Sequence, residues 1–522
     1  EATEIVRSRR PDLPVAGPAA GQVSAPTAGE RLAHSVVLGC AGVAADDLDR
    51  PVGVAAAAAP ERALPTAPAA VGRVVLTGAG QGSIRSRDAV LTGDLEGRES
   101  AVLTGEDGMA PGLAGVQWHL DPREQHRGLT VASCPAPRQE AWLVAGGGQP
   151  GRSEHVVLLN PGANPLTADV AVLGAGGRVA TVGGRGVVVP AGGRVELLVD
   201  ALAPGVGSPV VQVTAEGGVL VAALSDRWLD GTTDRGVEVT TPAAPPALEQ
   251  LVPVLAGSAA GERVTTTLRL AAPGEEPAVA QLRELGEDGA YRPVPDVVRV
   301  PAGGTVDVTL SGLLGGTSAL QVVADVPVVA AVQVTTEGAA RTVGDVTGST
   351  AAPGDAAAVT AVPGDTAEVT TVPGDAATAT AAPGDAAVQT SGPDPDDPGA
   401  VTELVWVPAA TPVTGLAGTP LPPVDGLEHR LVLSAVPGGS AEVLTRTGDE
   451  VSTSTVTIAP GGSTVVELEA GTESVWLRPL EGPVAAALLS TGADAAGPFA
   501  AAAVLEELAV ERDVVAVRPW RP

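Results

Sequence analysis

The sequence predicts an all-β protein: tandem β-sandwich-like, immunoglobulin-like units, about four repeats of roughly 110 residues. Three observations predict it. Gly (67) and Pro (47) exceed a fifth of the 522 residues, which limits helix and favours short strands joined by turns. Apolar residues recur with period two between turn signals. The same strand-and-turn phrases also return at a fixed spacing, the signature of a repeat architecture.

The first phrase is an apolar strand running into a Pro-Gly turn: Val157–Gly162, Leu268–Gly274 and Leu431–Gly438. The second follows about thirty residues later, as Val189-Pro190-Ala191-Gly192-Gly193, Val300-Pro301-Ala302-Gly303-Gly304 and Ile458-Ala459-Pro460-Gly461-Gly462. Alternating stretches come next, with Val195, Leu197 and Val199, then Val306, Val308 and Leu310, then Val466 and Leu468, each expected to bury one face. The third phrase, rich in Ala pairs, lies at Val219–Leu224, Val328–Val332 and Val484–Leu488. Gly192 and Gly303 are 111 positions apart, whereas Pro273 and Pro437 are 164 apart, so a segment is inserted before the last copy. A divergent first copy is read from its end, where Trp118-His119-Leu120-Asp121 and Arg127-Gly128-Leu129-Thr130-Val131 match Trp228-Leu229-Asp230 and Arg235-Gly236-Val237-Glu238-Val239.

The domain reading is a stalk over 1–27, units over 28–135, 136–245 and 246–345, a low-complexity segment over 346–400, and a fourth unit over 401–522. The segment carries Pro-Gly-Asp at 353–355, 363–365, 373–375 and 383–385. Pro then Gly suits a type II turn, and the Ala, Thr and Val between offer little apolar area to offset ordering entropy. It reads as an acidic linker or loop between the third and fourth units, and its Thr/Ala/Pro bias would suit O-mannosylation. A propeller is the runner-up architecture, although its blades are less than half this length.

Net charge is −30. This speaks against nucleic acid, which needs clustered basic residues, and against adsorption to anionic lipid. No apolar run of about 18 residues exists to span a membrane, so any membrane contact is expected through an N-terminal anchor absent from the chain. Absence of Lys, with Arg carrying the basic charge, points to a GC-rich genome and a high-GC Gram-positive source.

Candidate chemistry is sparse. Val172–Gly177 mimics a dinucleotide turn but reads as a hairpin. His119, Asp121, Glu124 and His126 could serve a metal, yet the equivalent loop of the second copy has Asp230 and Asp234 without His, so a solvated loop is expected. Trp118, Trp142, Trp228, Trp406 and Trp476 fall on strand positions that recur and are read as core. Trp520 is left as the candidate for an exposed sugar platform. Cys40 and Cys134 are the only cysteines, and an even count in an exported chain predicts a disulfide fastening the first unit. No catalytic, cofactor-binding or metal-ligating residue is assigned.

The stretch Cys134-Pro135-Ala136-Pro137-Arg138-Gln139-Glu140-Ala141-Trp142, running on to Asn160-Pro161-Gly162, resembles an actinobacterial family of secreted or membrane-anchored proteins known as a domain of unknown function. The resemblance covers most of residues 30–340 and implies an N-terminal membrane segment and proximity to envelope glycan assembly. It implies no catalytic residues. The resulting expectation is a non-enzymatic, extracytoplasmic structural or interaction protein of the cell envelope, partnered by an envelope protein or wall glycan. A carbohydrate- or wall-polymer-binding module is the alternative, and a hydrolase using scattered carboxylates comes third.

Overall fold

A computed structural model describes residues 32–339 and 400–512, apart from 45–49, 124–126, 149, 182, 231–232, 256–262, 288, 290, 311–312, 314–316 and 495–496. The stalk, nearly all of the Pro-Gly-Asp segment, Glu124, His126 and Trp520 therefore lie outside the described residues.

The protein is all-β, and every strand-to-strand ladder is antiparallel. The first unit sets the pattern. Its strands are β1 (Ser35–Cys40), β2 (Val52–Ala58), β3 (Gly72–Gly78), β4 (Gly80–Ile84), β5 (Leu91–Leu95), β6 (Ala101–Asp107), β7 (Leu113–Asp121) and β8 (Gly128–Ser133). They form two four-stranded sheets ordered β1-β6-β3-β4 and β5-β2-β7-β8. The second sheet recurs in each unit with the unit's last strand on its inner edge: Thr233–Thr240, Ala400–Pro408 and Pro498–Leu505 take the place of β8.

The repeated Gly-Gly phrase has one conformation throughout. Gly192, Gly303 and Gly461 take φ of 60°, 62° and 66°, a left-handed backbone that glycine adopts without strain. Their N–H groups donate back to Gly162, Gly274 and Val436 at 3.0, 2.9 and 2.8 Å. The alternating strands that follow sit at sheet edges. Arg194–Leu198 is half-buried along most of its length, and Val199 opens a one-turn helix, Val199–Leu202, instead of ending the strand. The expected clean split into a buried and a wet face fails there, whereas Thr305–Leu310, also an edge strand, keeps Asp307 and Thr309 exposed between half-buried Val306 and Val308. Val172–Gly177 is a hairpin: Gly174 pairs with Gly177, whose φ is 107°.

The third unit departs from the pattern. Elsewhere a glycine breaks the chain between the two sheets, as at Gly217 (φ 81°) and Gly482 (φ 72°). The third unit has Asp325-Val326-Pro327 instead, and Ser318–Ala339 runs unbroken for 22 residues through both sheets. Ala400–Pro408 then returns along it, from Ala339 opposite Ala400 to Ala331 opposite Pro408. The inserted segment therefore joins two paired strands of the third unit. It does not lie between the third and fourth units, and the fourth begins after Pro408.

The four units close into a ring. The inner strand of each unit packs against that of the next, and Pro498–Leu505 returns to β8. Their apolar clusters interlock in the same order. Val157, Ala223, Val237 and Val239 of the second unit join the core of the first. Ala271, Val329, Ala331, Leu404 and Trp406 of the third join the second. Val432, Ala485, Ala487, Ala502 and Val504 of the fourth join the third, and Ala55, Val116, Leu129 and Val131 of the first join the fourth. A closed ring protects inner sheet edges, as a propeller does, although each unit here is a pair of sheets and not a single blade.

Candidate functional site

The inner strands should carry apolar side chains on both faces, because both are covered. Two glutamates break that rule. Glu238 follows Val237 and precedes Val239; Glu403 precedes Leu404-Val405-Trp406. Both are fully buried at the ring axis, and their bonds reach every unit. Glu238 Oε1 accepts from the Thr130 hydroxyl at 2.7 Å, in the first unit, and from its neighbour's Val239 N–H at 2.8 Å. It also accepts from the Trp406 N–H of the third unit. Glu403 Oε1 accepts from the Leu129 N–H of the first unit at 3.0 Å, and the carboxyl also takes the Ala500 N–H of the fourth. Neither Oε2 has a hydrogen-bond partner. Burial pushes the Glu238 carboxyl up to about 8, against the pull of its three donors and with Asp226 adding to the rise. Burial likewise holds Glu403 well above the carboxylate range, with Glu238 adding to the rise and Arg127 opposing it. Loss of water outweighs hydrogen bonding in both.

A second polar network joins units two and three. Asp226 accepts both arms of Arg152, at 3.0 and 2.6 Å, and the Trp406 indole N–H at 3.1 Å. Arg269 lies 4.9 Å from the Trp406 ring centre and is held by Asp307 at 2.8 Å through each of two nitrogens. Its third nitrogen donates to the carbonyls of Ala145, Gly146 and Pro209 of the second unit. Burial works against ionisation of Asp307, but the Arg269 bonds and charge hold it below the usual range. Glu154, beside Arg152 at 3.8 Å, is pushed up to about 7 by burial and by Asp226.

At the junction of units one and four, an open cleft of about 890 Å3 is lined by Asp88, Asp425, Glu428, Glu467, Glu469 and Glu473, together with His429. Burial holds the His429 imidazole below its ordinary value, and its Nδ1 lies 2.9 Å from Ser490 Oγ. The cleft offers hydrogen-bond acceptors and a negative field, and no aromatic side chain lines it. It is unsuited to stacking a sugar ring and repels anionic polymers.

The profile of a family of unknown function, DUF5719, matches residues 90–392. The chain belongs to that family. No curated protein matches it. Among solved structures, a similar one is the tetra-tandem repeat in the extending region of a large adhesion protein, 12% identical, covering 90% of this chain and 98% of that one with a TM-score of 0.09. At that score nothing about arrangement or function follows. The family match spans the Cys-Pro-Ala-Pro stretch, both polar networks' second-unit residues and Glu238.

The residues singled out from sequence fall as follows. Cys40 and Cys134 are bonded and buried, at the end of β1 and just beyond β8. They link the two sheets of unit one, and Gly39 donates to the Pro135 carbonyl beside them at 3.0 Å. His119 and Asp121 lie on β7 and are buried, and Asp121 is tied to Arg123 at 2.9 Å. Among the described residues, no group of three or more His, Cys, Asp or Glu is placed to hold a metal ion, and no helix is long and apolar enough to cross a membrane.

Trp142, Trp406 and Trp476 are buried. Trp118 lies half-buried against Gly53, where a Cβ would come 2.2 Å from the indole. Trp228 is half-buried beneath Arg152 and Arg235, at 5.1 and 5.7 Å. Sequence reasoning missed Glu238, Glu403, Asp226, Arg152 and Arg269. One signal was present: a carboxylate between apolar residues on the closing strand of a unit, as in Val237-Glu238-Val239.

Proposed function

We propose that this DUF5719 chain is a non-enzymatic structural or interaction protein of the cell envelope, working outside the cytoplasm. One observation carries the reading: the buried ionisable groups of the ring interior are engaged in bonds between units. Asp226, Arg269, Glu238 and Glu403 each bond to a neighbouring unit, with Arg152 and Asp307 holding Asp226 and Arg269 in place, so a scaffold accounts for these costly buried polar groups. The Cys40–Cys134 bond supports an oxidising compartment. An actinobacterial source, a membrane anchor ahead of the stalk at 1–27, and an envelope protein or wall glycan as partner belong to the same proposal. The sugar-binding alternative loses support because none of the five described tryptophans is exposed.

The test is crosslinking in intact cells followed by purification of the tagged chain. A discrete envelope protein or wall polymer should be recovered with it. Recovery of cytosolic proteins alone would overturn the placement. Turnover of a wall polymer, abolished by substituting Asp88 or Glu469 in the acidic cleft, would overturn the non-enzymatic part.

A further inference from the structure

The axis places two buried carboxyls, each hydrogen-bonded through one oxygen and with no protein partner on the other. Between them, Glu238 and Glu403 bond to the inner strands of all four units. An ionised carboxylate buried with an unpaired oxygen is costly, whereas a neutral acid keeps the accepting Oε1 and carries its proton on Oε2. The two groups also repel when both are charged, and that repulsion lifts the affinity of the pair for protons. We propose that Glu238 and Glu403 are a proton-operated lock on the ring: the closed form holds both carboxyls neutral, and separation of the four inner strands is coupled to release of their protons.

The other charged groups facing the pair fix the sign. Asp226, from the second unit's sheet, disfavours charge on Glu238. Arg127, at the start of β8, favours charge on Glu403 but is itself bound to Asp494 at 2.8 Å and to the Gly497 carbonyl at 2.7 Å. The strand Pro498–Leu505 contributes only the Ala500 N–H. Below about pH 4.5 both the closed and open forms keep the protons and the lock is neutral to pH. As pH rises toward about 8, the value for Glu238, the open form loses its proton and the closed form does not. Opening therefore becomes easier, and above that value the effect stops growing.

The experiment is hydrogen exchange of the donating amides, Leu129, Val239, Trp406 and Ala500, read in peptides between pH 5.5 and 8 and corrected for intrinsic rates. In the wild-type chain the opening constant should rise on the order of 100-fold from Glu238 alone. The double variant Glu238→Gln and Glu403→Gln, which fixes the neutral shape, should flatten the rise to under about tenfold. An equal rise in the double variant would overturn the lock. If that variant fails to fold, infrared spectroscopy of Glu154→Gln, which removes the other raised carboxyl, decides: a protonated-carboxyl band persisting at pH 6 supports the proposal, and its absence at pH 6 overturns it.

Discussion

The seam between units two and three and the seam between units four and one solve the same problem with different chemistry. At the first, side chains do the joining: Asp226 collects Arg152 and Trp406, and Arg269 reaches across to three carbonyls. At the second, main chain and side chains share the joining. After Leu505 the chain forms a strap: Leu508 ties it to its own unit by donating to Leu416 at 2.7 Å, and Gly112 and Ala33 of unit one donate to its Ala509 and Val510 carbonyls, both at 2.9 Å. Arg127 donates to Asp494 at 2.8 Å and sits 3.8 Å from the Phe499 ring centre, and the Ser133 hydroxyl donates to the Val504 carbonyl at 2.8 Å. The difference follows from connectivity. Units two and three are joined by a short connection that delivers them in register, so a few directional side chains suffice. Units four and one are hundreds of residues apart, and the strap's main-chain bonds help to set register where the connection cannot.

The largest expected effect falls on unit one, which bears the closing seam. Replacing Cys40 and Cys134 by Ala opens a loop of 94 residues and should destabilise the unit by about 4–5 kcal/mol in chain-entropy terms. Urea unfolding followed by exchange in β1 and β8 measures it. The comparison predicts that the four–one seam opens first and the two–three seam persists. Simultaneous loss of both would show that the seams are not independent.

Next comes Asp226→Ala. It leaves the Arg152 guanidinium and the Trp406 indole N–H buried without their acceptor, and breaking such a pair costs about 3–5 kcal/mol. Glu154, 3.8 Å from Arg152, takes up part of the charge, so the lower half of that range is expected in the urea midpoint. Asp226→Asn keeps an acceptor for Trp406 and should cost less than Ala. A loss under 1 kcal/mol for Ala would mean that the seam rests on apolar packing.

How much of this could be read from the residues varies by feature. The sandwich repeat was legible because Gly192, Gly303 and Gly461 must take left-handed φ, and such a requirement writes itself into sequence. The cysteine pair was legible by count. The ring was not, because the residues that close it are ordinary strand residues: Val237, Leu404 and Ala502 look the same facing their own unit or the neighbour. Glu238 and Glu403 were hidden in a chain with 61 acidic residues, where one more carboxylate attracts no notice until burial is known.

A smaller effect is expected at Glu507 in the strap. Its Oε2 accepts from the Thr414 N–H and hydroxyl and the Gly415 N–H, at 2.9, 3.0 and 3.1 Å. Burial works against ionisation, but these bonds hold the carboxyl below its ordinary value, so its contribution is present at neutral pH and fades as pH falls through the acid range. Glu507→Ala should cost about 1 kcal/mol, read as a lower urea midpoint at pH 7 and little change near pH 3. Equal loss at both would assign the effect to packing.

The smallest effect should have the opposite sign, and it lies away from both seams. The strands Ser318–Ala339 and Ala400–Pro408 stay paired to their last residues, Ala339 opposite Ala400, so whatever joins them need only bridge a short gap. About 60 residues do so. Closure entropy grows with the logarithm of loop length, and each doubling costs about 0.6 kcal/mol. Removing 351–390, the four decapeptides, leaves a loop of about 20 residues and should stabilise the third unit by about 1 kcal/mol. Both seams are expected to be untouched. Thermal unfolding of the deletion should give a midpoint equal to or slightly above that of the full chain, with exchange at Trp406 and Ala33 unchanged. A lower midpoint would show that the decapeptides bind the folded ring, and faster exchange at Trp406 would place that contact at the two–three seam.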